Sequence, residues 1–90
     1  MNKSELIDAI TNDAGVTKSQ AGSAIDSFVN NVEQALKMGE KVTIVGFGTF
    51  SSSERSARIG RNPQTGQNIR IPAKKVAKFS PGKSLKEAIQ

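Results

Sequence analysis

Apolar positions near the start of the chain recur at helical spacing. Leu6, Ile7 and Ile10 share one side of a segment that opens after Asn2 and stops at Gly15. Asn2 followed by Glu5 has capping-box spacing, the Asn2 side-chain oxygen accepting from a backbone N–H of the first turn. Asn2-Lys3-Ser4 also matches a glycosylation acceptor, but the start of the chain lacks a signal peptide's apolar core, so the cap reading is preferred. A second helix opens at Thr17, with Gln20 at the same capping-box spacing. Ala21, Ala24, Ile25, Phe28, Val29, Val32, Ala35 and Leu36 then form a wide apolar face that Gly39 closes. That face is about 30 Å long at 1.5 Å per residue, more than the first helix can cover. A second copy of the chain is the economical partner. Packing on the chain's own sheet is the alternative.

Beyond Gly39 the pattern changes to that of strands. Lys41-Val42-Thr43-Ile44-Val45 is β-branched, Gly46-Phe47-Gly48 turns the chain, and Thr49-Phe50-Ser51 begins a second strand. Gly-Phe-Gly lacks the further Gly, the Lys and the following helix of a phosphate loop, so these are turn glycines around a core Phe. The second strand runs through Ser51–Ser53 into a hairpin with its turn at Asn62-Pro63-Gln64-Thr65-Gly66, and the chain returns through Ile69-Arg70-Ile71 toward Val76 and Phe79. Pro72 cannot donate to a ladder and marks an edge, bulge or bend. Ser80-Pro81-Gly82 ends the strand, and Lys83–Gln90 predicts a short helix with Leu85, Ala88 and Ile89 on one side. The expected fold is α+β in the order α-α-β-β-β-α, a single domain over 1–90. Its body is 1–52 and 76–90, and its β-arm is 53–75.

Composition removes several chemistries. The chain has no Cys and no His, which rules out disulfides, Cys/His zinc sites, Cys nucleophiles and His bases. The carboxylates are scattered, with no nucleophile–base pair and no dense acidic cluster, so neither an enzyme nor a cofactor or metal site is expected. No segment has transmembrane length, and a soluble intracellular protein is the default expectation. Ninety residues, some of them in a projecting hairpin, leave a small core that oligomerisation would complete.

Charge separates the two halves. Residues 1–50 carry four Lys and six acids; residues 51–90 carry nine basic residues against Glu54 and Glu87. Arg55, Arg58, Arg61, Arg70, Lys74 and Lys75 lie in the hairpin with no acid among them. Arg presents a planar fork that binds phosphate and enters narrow minor grooves. The plain alternative is a soluble, charge-protected edge. Pro63, with Asn62 and Gln64 beside it at the tip, is at least a turn-former. As a compact ring at the end of a basic arm it also suits a wedge between base pairs. Phe28, Phe47, Phe50 and Phe79 are the only aromatics and read as core, not stacking platforms.

Met1-Asn2-Lys3, Val45-Gly46-Phe47-Gly48-Thr49-Phe50, Gly60-Arg61-Asn62-Pro63-Gln64-Thr65-Gly66 and Gly82-Lys83-Ser84-Leu85-Lys86 together resemble the bacterial histone-like HU family along the whole chain. HU proteins are minor-groove architectural proteins, and the resemblance therefore carries the wedge reading with it. The resemblance implies an intertwined dimer with two β-arms embracing DNA and Pro63 as intercalating wedge. It places Arg55, Arg58 and Arg61 on the arm contact surface and Lys3 and Lys83 on flanking phosphates. Arg70, Lys74, Lys75, Asn62, Gln64 and Lys86 complete the candidate DNA contacts. Phe28, Val32, Leu36, Phe47, Phe50 and Phe79 are the candidate dimer core. The chain departs from the usual pattern at Gln67-Asn68, where a Lys-Glu pair is common, and at Ala77, where a Pro is common.

The implied function is non-sequence-specific bending, wrapping and compaction of double-stranded DNA in the nucleoid. The expected partner is double-stranded DNA, with distorted DNA or RNA as further candidates; a homodimer is expected, or a heterodimer with a paralogue, with no membrane and no small-molecule substrate. The competing readings are an integration-host-factor-like, site-specific subunit, a basic structural RNA-binding protein, and an assembly module gripping an acidic partner.

Overall fold

A computed structural model describes residues 1–90. Its elements are α1 (Lys3–Ala14), α2 (Lys18–Lys37), β1 (Val42–Ile44), β2 (Gly48–Arg55), β3 (Arg58–Arg61), β4 (Asn68–Ile71), β5 (Lys74–Pro81) and α3 (Lys83–Ala88). They form two compact units, Met1–Gln34 and Ala35–Gln90.

In the first unit both expected capping boxes shape the helix starts. Asn2 Oδ1 accepts from the Glu5 N–H at 2.9 Å. At α2 the exchange is reciprocal: Thr17 Oγ1 accepts from Gln20 N at 3.1 Å, and Gln20 Oε1 accepts from Thr17 N at 3.0 Å. Two orphan N–H groups are thereby satisfied. Gly15 ends α1 as expected, with φ 66°. The helices approach through small residues: Ala21 is 1% exposed, and Ile7 Cδ1 lies 3.6 Å from where a Cβ on Gly22 would stand. Lys3–Asp26 at 2.6 Å and Lys18–Asp8 at 3.4 Å add exposed ion pairs between α1 and α2, which contribute little in water.

In the second unit, α2 ends in a Schellman arrangement. Glu40 N donates to Ala35 O at 2.8 Å and Gly39 N to Leu36 O at 3.1 Å, with Gly39 at φ 79°, a conformation that favours glycine. The following strands make a three-stranded antiparallel sheet in the order β1-β2-β5 and a separate two-stranded sheet, β3-β4. The expected three strands are therefore five. Pro72-Ala73 breaks the returning strand as anticipated from Pro72, while Ser56-Ala57 breaks the outgoing one without a sequence signal of its own. Helix α3 ends at Ala88, short of the expected Gln90, and Ile89 beyond it is 79% exposed.

The sheet's apolar face follows from register. Val42 pairs with Phe50 and Phe50 with Phe79, so these three share a side. Phe79 lies between two rings, with its centroid 5.3 Å from Phe47 and 4.8 Å from Phe50, both tilted at 46°. The cluster stays partly open: Phe47 and Phe79 are 42% and 40% exposed. Phe28, expected as core, is 43% exposed, while Val32 and Leu36 are half-buried. Within one chain only Ala21 and Gly48 are buried, so the candidate core residues do not make a closed monomer core.

Candidate nucleic-acid interface

Strand alternation sorts the basic residues onto faces. In the β2–β5 ribbon, Arg55 pairs with Lys74, Ser53 with Val76, Ser51 with Lys78 and Thr49 with Ser80. Directly opposed residues share a side, so Arg55, Lys74 and Lys78 stand on one face with Thr49, Ser51, Ser53 and Ser80. Thr43 on β1 joins that face, its Oγ1 3.2 Å from Thr49 Oγ1. The face holds three cations, five hydroxyls and no acid, a composition suited to phosphate oxygens. Glu54 and Lys75 pair on the opposite face, with Phe50 and Phe79. β1 pairs only as far as Phe50, so from Ser51 and Lys78 outward the sheet is two strands wide. The two-stranded part thus begins earlier than the expected 53–75.

The β3–β4 pair repeats the sorting. Arg58 opposes Ile71 and Gly60 opposes Ile69 on one face; Ile59 opposes Arg70 and Arg61 opposes Asn68 on the other. The first face packs isoleucine over glycine: a Cβ on Gly60 would meet Ile71 Cδ1 at 2.9 Å. The second carries both Arg61 and Arg70 beside Ile59, which is 74% exposed. Ile59 stands directly opposite Arg70 and two residues from Arg61, so this face sets an exposed apolar side chain beside two cations.

The tip is ordered by its own residues. Asn62 Oδ1 accepts from Gln64 N at 2.9 Å, Asn62 O accepts from Gly66 N at 2.8 Å, and Asn62 N donates to Gln67 O at 2.8 Å. Gly66 takes φ 70°, which a side chain would oppose. Thr65 Oγ1 accepts from Gln67 N at 3.3 Å. Asn62 therefore spends its side chain holding the turn, leaving Pro63 and Gln64 exposed at the end.

Other sequence-predicted contacts are placed differently. Lys75 Nζ donates to Lys37 O at 2.6 Å, on the face away from Arg55, Lys74 and Lys78. Lys3 is paired with Asp26, and Lys83 lies 3.9 Å from Glu87 one helical turn on. Lys86 is exposed on α3. Lys78 and the hydroxyls beside it were not among the sequence-predicted contacts, and register places them on the face of Arg55 and Lys74. Period-2 counting from Lys74 through Val76 along the expected strand to Phe79 leads to Lys78.

No His, Cys, Asp or Glu cluster is placed to hold a metal ion, and no helix is long and apolar enough to cross a membrane.

The family model described as bacterial DNA-binding protein matches residues 1–90. DNA-binding protein HU of Staphylococcus aureus (strain COL) is 51% identical over 90 residues, 100% of both chains. DNA-binding protein HU-beta of Pseudomonas aeruginosa is 55% identical over 89 residues, 99% of each. Among solved structures, the Anabaena HU–DNA cocrystal structure superposes with TM-score 0.86 at 47% identity, covering 99% of this chain and 97% of that one. HU from Thermotoga maritima superposes with TM-score 0.71 at 34% identity over the full length of both.

Proposed function

Because this chain belongs to the bacterial DNA-binding protein family, with relatives named HU, we propose that it is an architectural protein that binds double-stranded DNA without sequence preference and bends it. The observation that carries the reading is the acid-free basic surface from Arg55 to Lys86, sorted by strand register so that cations stand beside hydroxyls and exposed isoleucine. Arg55, Lys74 and Lys78 contact phosphates at the root of the arm, and Arg58, Arg61 and Arg70 follow the groove. Gln64 flanks Pro63, which the Asn62 turn presents as the wedge. Wedging costs a few kcal/mol of unstacking per step, offset by the wider contact a bent duplex allows. Lys3, Lys83 and Lys86 add phosphate contacts once their exposed or weakly paired ammonium groups are released. No element presents a row of Asn, Gln and Arg to a major groove, and the minor groove code is degenerate, which supports weak sequence preference over an integration-host-factor-like role.

The working form is a homodimer. One chain exposes 7290 Å², whereas a compact monomer of its mass exposes about 5,100 Å². Part of the excess is apolar, including Val29, Leu6, Phe47 and Phe79. A partner covering these residues with Phe28, Val32, Leu36 and Phe50 completes the core and holds two arms on one body. The arms are the stretch outward from Ser51 and Lys78, and the remainder is the dimerising body. Such a protein works in the nucleoid.

Anisotropy titrations against many unrelated duplexes test the function. Affinities within about a hundredfold are expected; a wider spread would overturn the non-specific reading, since specific binders gain about 10³ or more. A preference for A-form RNA would move the assignment to RNA.

A further inference from the structure

We infer that Lys75 is a positioning residue that ties the root of the arm to the end of α2, not a phosphate contact. The last turn of α2 leaves carbonyls that the helix cannot satisfy internally. The Schellman arrangement takes Ala35 O and Leu36 O, and Ser52 Oγ donates a further bond to Leu36 O at 2.8 Å. Lys37 O accepts from Lys75 Nζ at 2.6 Å, a charge-assisted bond at the negative end of the helix dipole. Ser52 lies on β2 and Lys75 on β5, so each strand of the ribbon sends one donor to the same helix end. Both side chains lie on the Phe50–Phe79 face, opposite Arg55, Lys74 and Lys78. Lys74 and Lys75 are neighbours with opposite tasks: one faces the nucleic-acid side, the other fastens the ribbon. Fixing both strands at their root limits how far the two-stranded segment can swing, and so sets the direction in which an arm leaves the sheet.

Two measurements on the full-length protein test this. The first needs no DNA. In Lys75→Met, backbone amides of Met38, Gly39 and Glu40 should exchange about tenfold faster, as removal of one charge-assisted hydrogen bond implies. Lys75→Arg should restore protection, and Lys74→Met should leave it unchanged. Unaltered exchange at 38–40 in Lys75→Met overturns the proposal. Should that variant fail to fold, Lys75→Ala carries the same test, because it removes the same donor to Lys37 O, and unaltered exchange at 38–40 there overturns the proposal equally.

The second measurement rests on the function proposed above. Each phosphate no longer neutralised changes the slope of log affinity against log salt by about 0.9, hence about 1.8 for a dimer carrying two copies. Lys74→Met should show that change. Lys75→Met should keep the wild-type slope while broadening the bend-angle distribution read by energy transfer between the duplex ends. A slope change in Lys75→Met equal to that of Lys74→Met makes Lys75 a phosphate contact and overturns the proposal. A wild-type protein that does not bind duplex DNA would instead remove the function and leave the exchange result standing.

Discussion

Phe79 closes over Gly48 so tightly that a Cβ at Gly48 would fall 2.6 Å from the ring's Cζ and 2.6 Å from the Ser80 carbonyl oxygen. Gly48 is buried at the start of β2, where the hairpin from β1 returns, and the ring uses the missing side chain as its seat. One neighbour is backbone and cannot rotate away. Gly48→Ala should therefore lower stability by about 1–3 kcal/mol through overpacking. Urea unfolding at fixed protein concentration measures it, and an unchanged midpoint would show that the sheet can shift to make room.

Pro63 stands in a turn held by Asn62. Pro63→Ala should reduce duplex bending more than low-salt affinity, because the cations that attract phosphate are untouched. Asn62→Ala should act in the same direction by releasing the turn that presents Pro63. Energy-transfer bending assays beside anisotropy titrations separate the two quantities. Equal losses in both would argue against a wedge.

Arg61 and Arg70 share one face of β3–β4. Replacing either with Gln should flatten the salt dependence of binding by about 0.9 for each phosphate left unneutralised, on each arm. Arg58, on the face with Ile69 and Ile71, should give a separable effect, since it points away from that pair. A wild-type affinity that is flat between low and moderate salt would refute phosphate binding by the arm.

The exposed apolar residues predict assembly. The protein should sediment as a dimer at micromolar concentration, with a melting temperature that rises with concentration, as mass action requires. Val29→Asp, at a position 46% exposed in the single chain, should shift sedimentation toward monomer and lower the melting temperature. Unchanged sedimentation in that variant would place the interface elsewhere.

Much of the local structure was legible from residue types. Asn2 with Glu5 and Thr17 with Gln20 mark helix starts because each cap needs only groups three residues apart. Gly15, Gly39 and Gly66 mark ends and turns because a positive φ is a property of one residue. The charge of the arm and the tip chemistry are equally local. Strand interruptions were only half legible: Pro72 announces its break, whereas Ser56-Ala57, opposite it in register, carries no signal of its own.

The amino-acid order by itself determined the three helices, the run of strands between the second and third, the family and the concentration of positive charge between Arg55 and Lys86. Tertiary structure decided where each cation stands. Lys74 and Lys75 are indistinguishable by type and adjacent in the chain, yet register sends one to the hydroxyl face and the other to the carbonyl of Lys37. Lys78 gains a place beside Ser51 by the same register. Side-chain direction in a sheet depends on which residue of a distant strand lies opposite, and that pairing is set by Phe79 meeting Phe50 and by the missing Cβ of Gly48, not by the local run of charges.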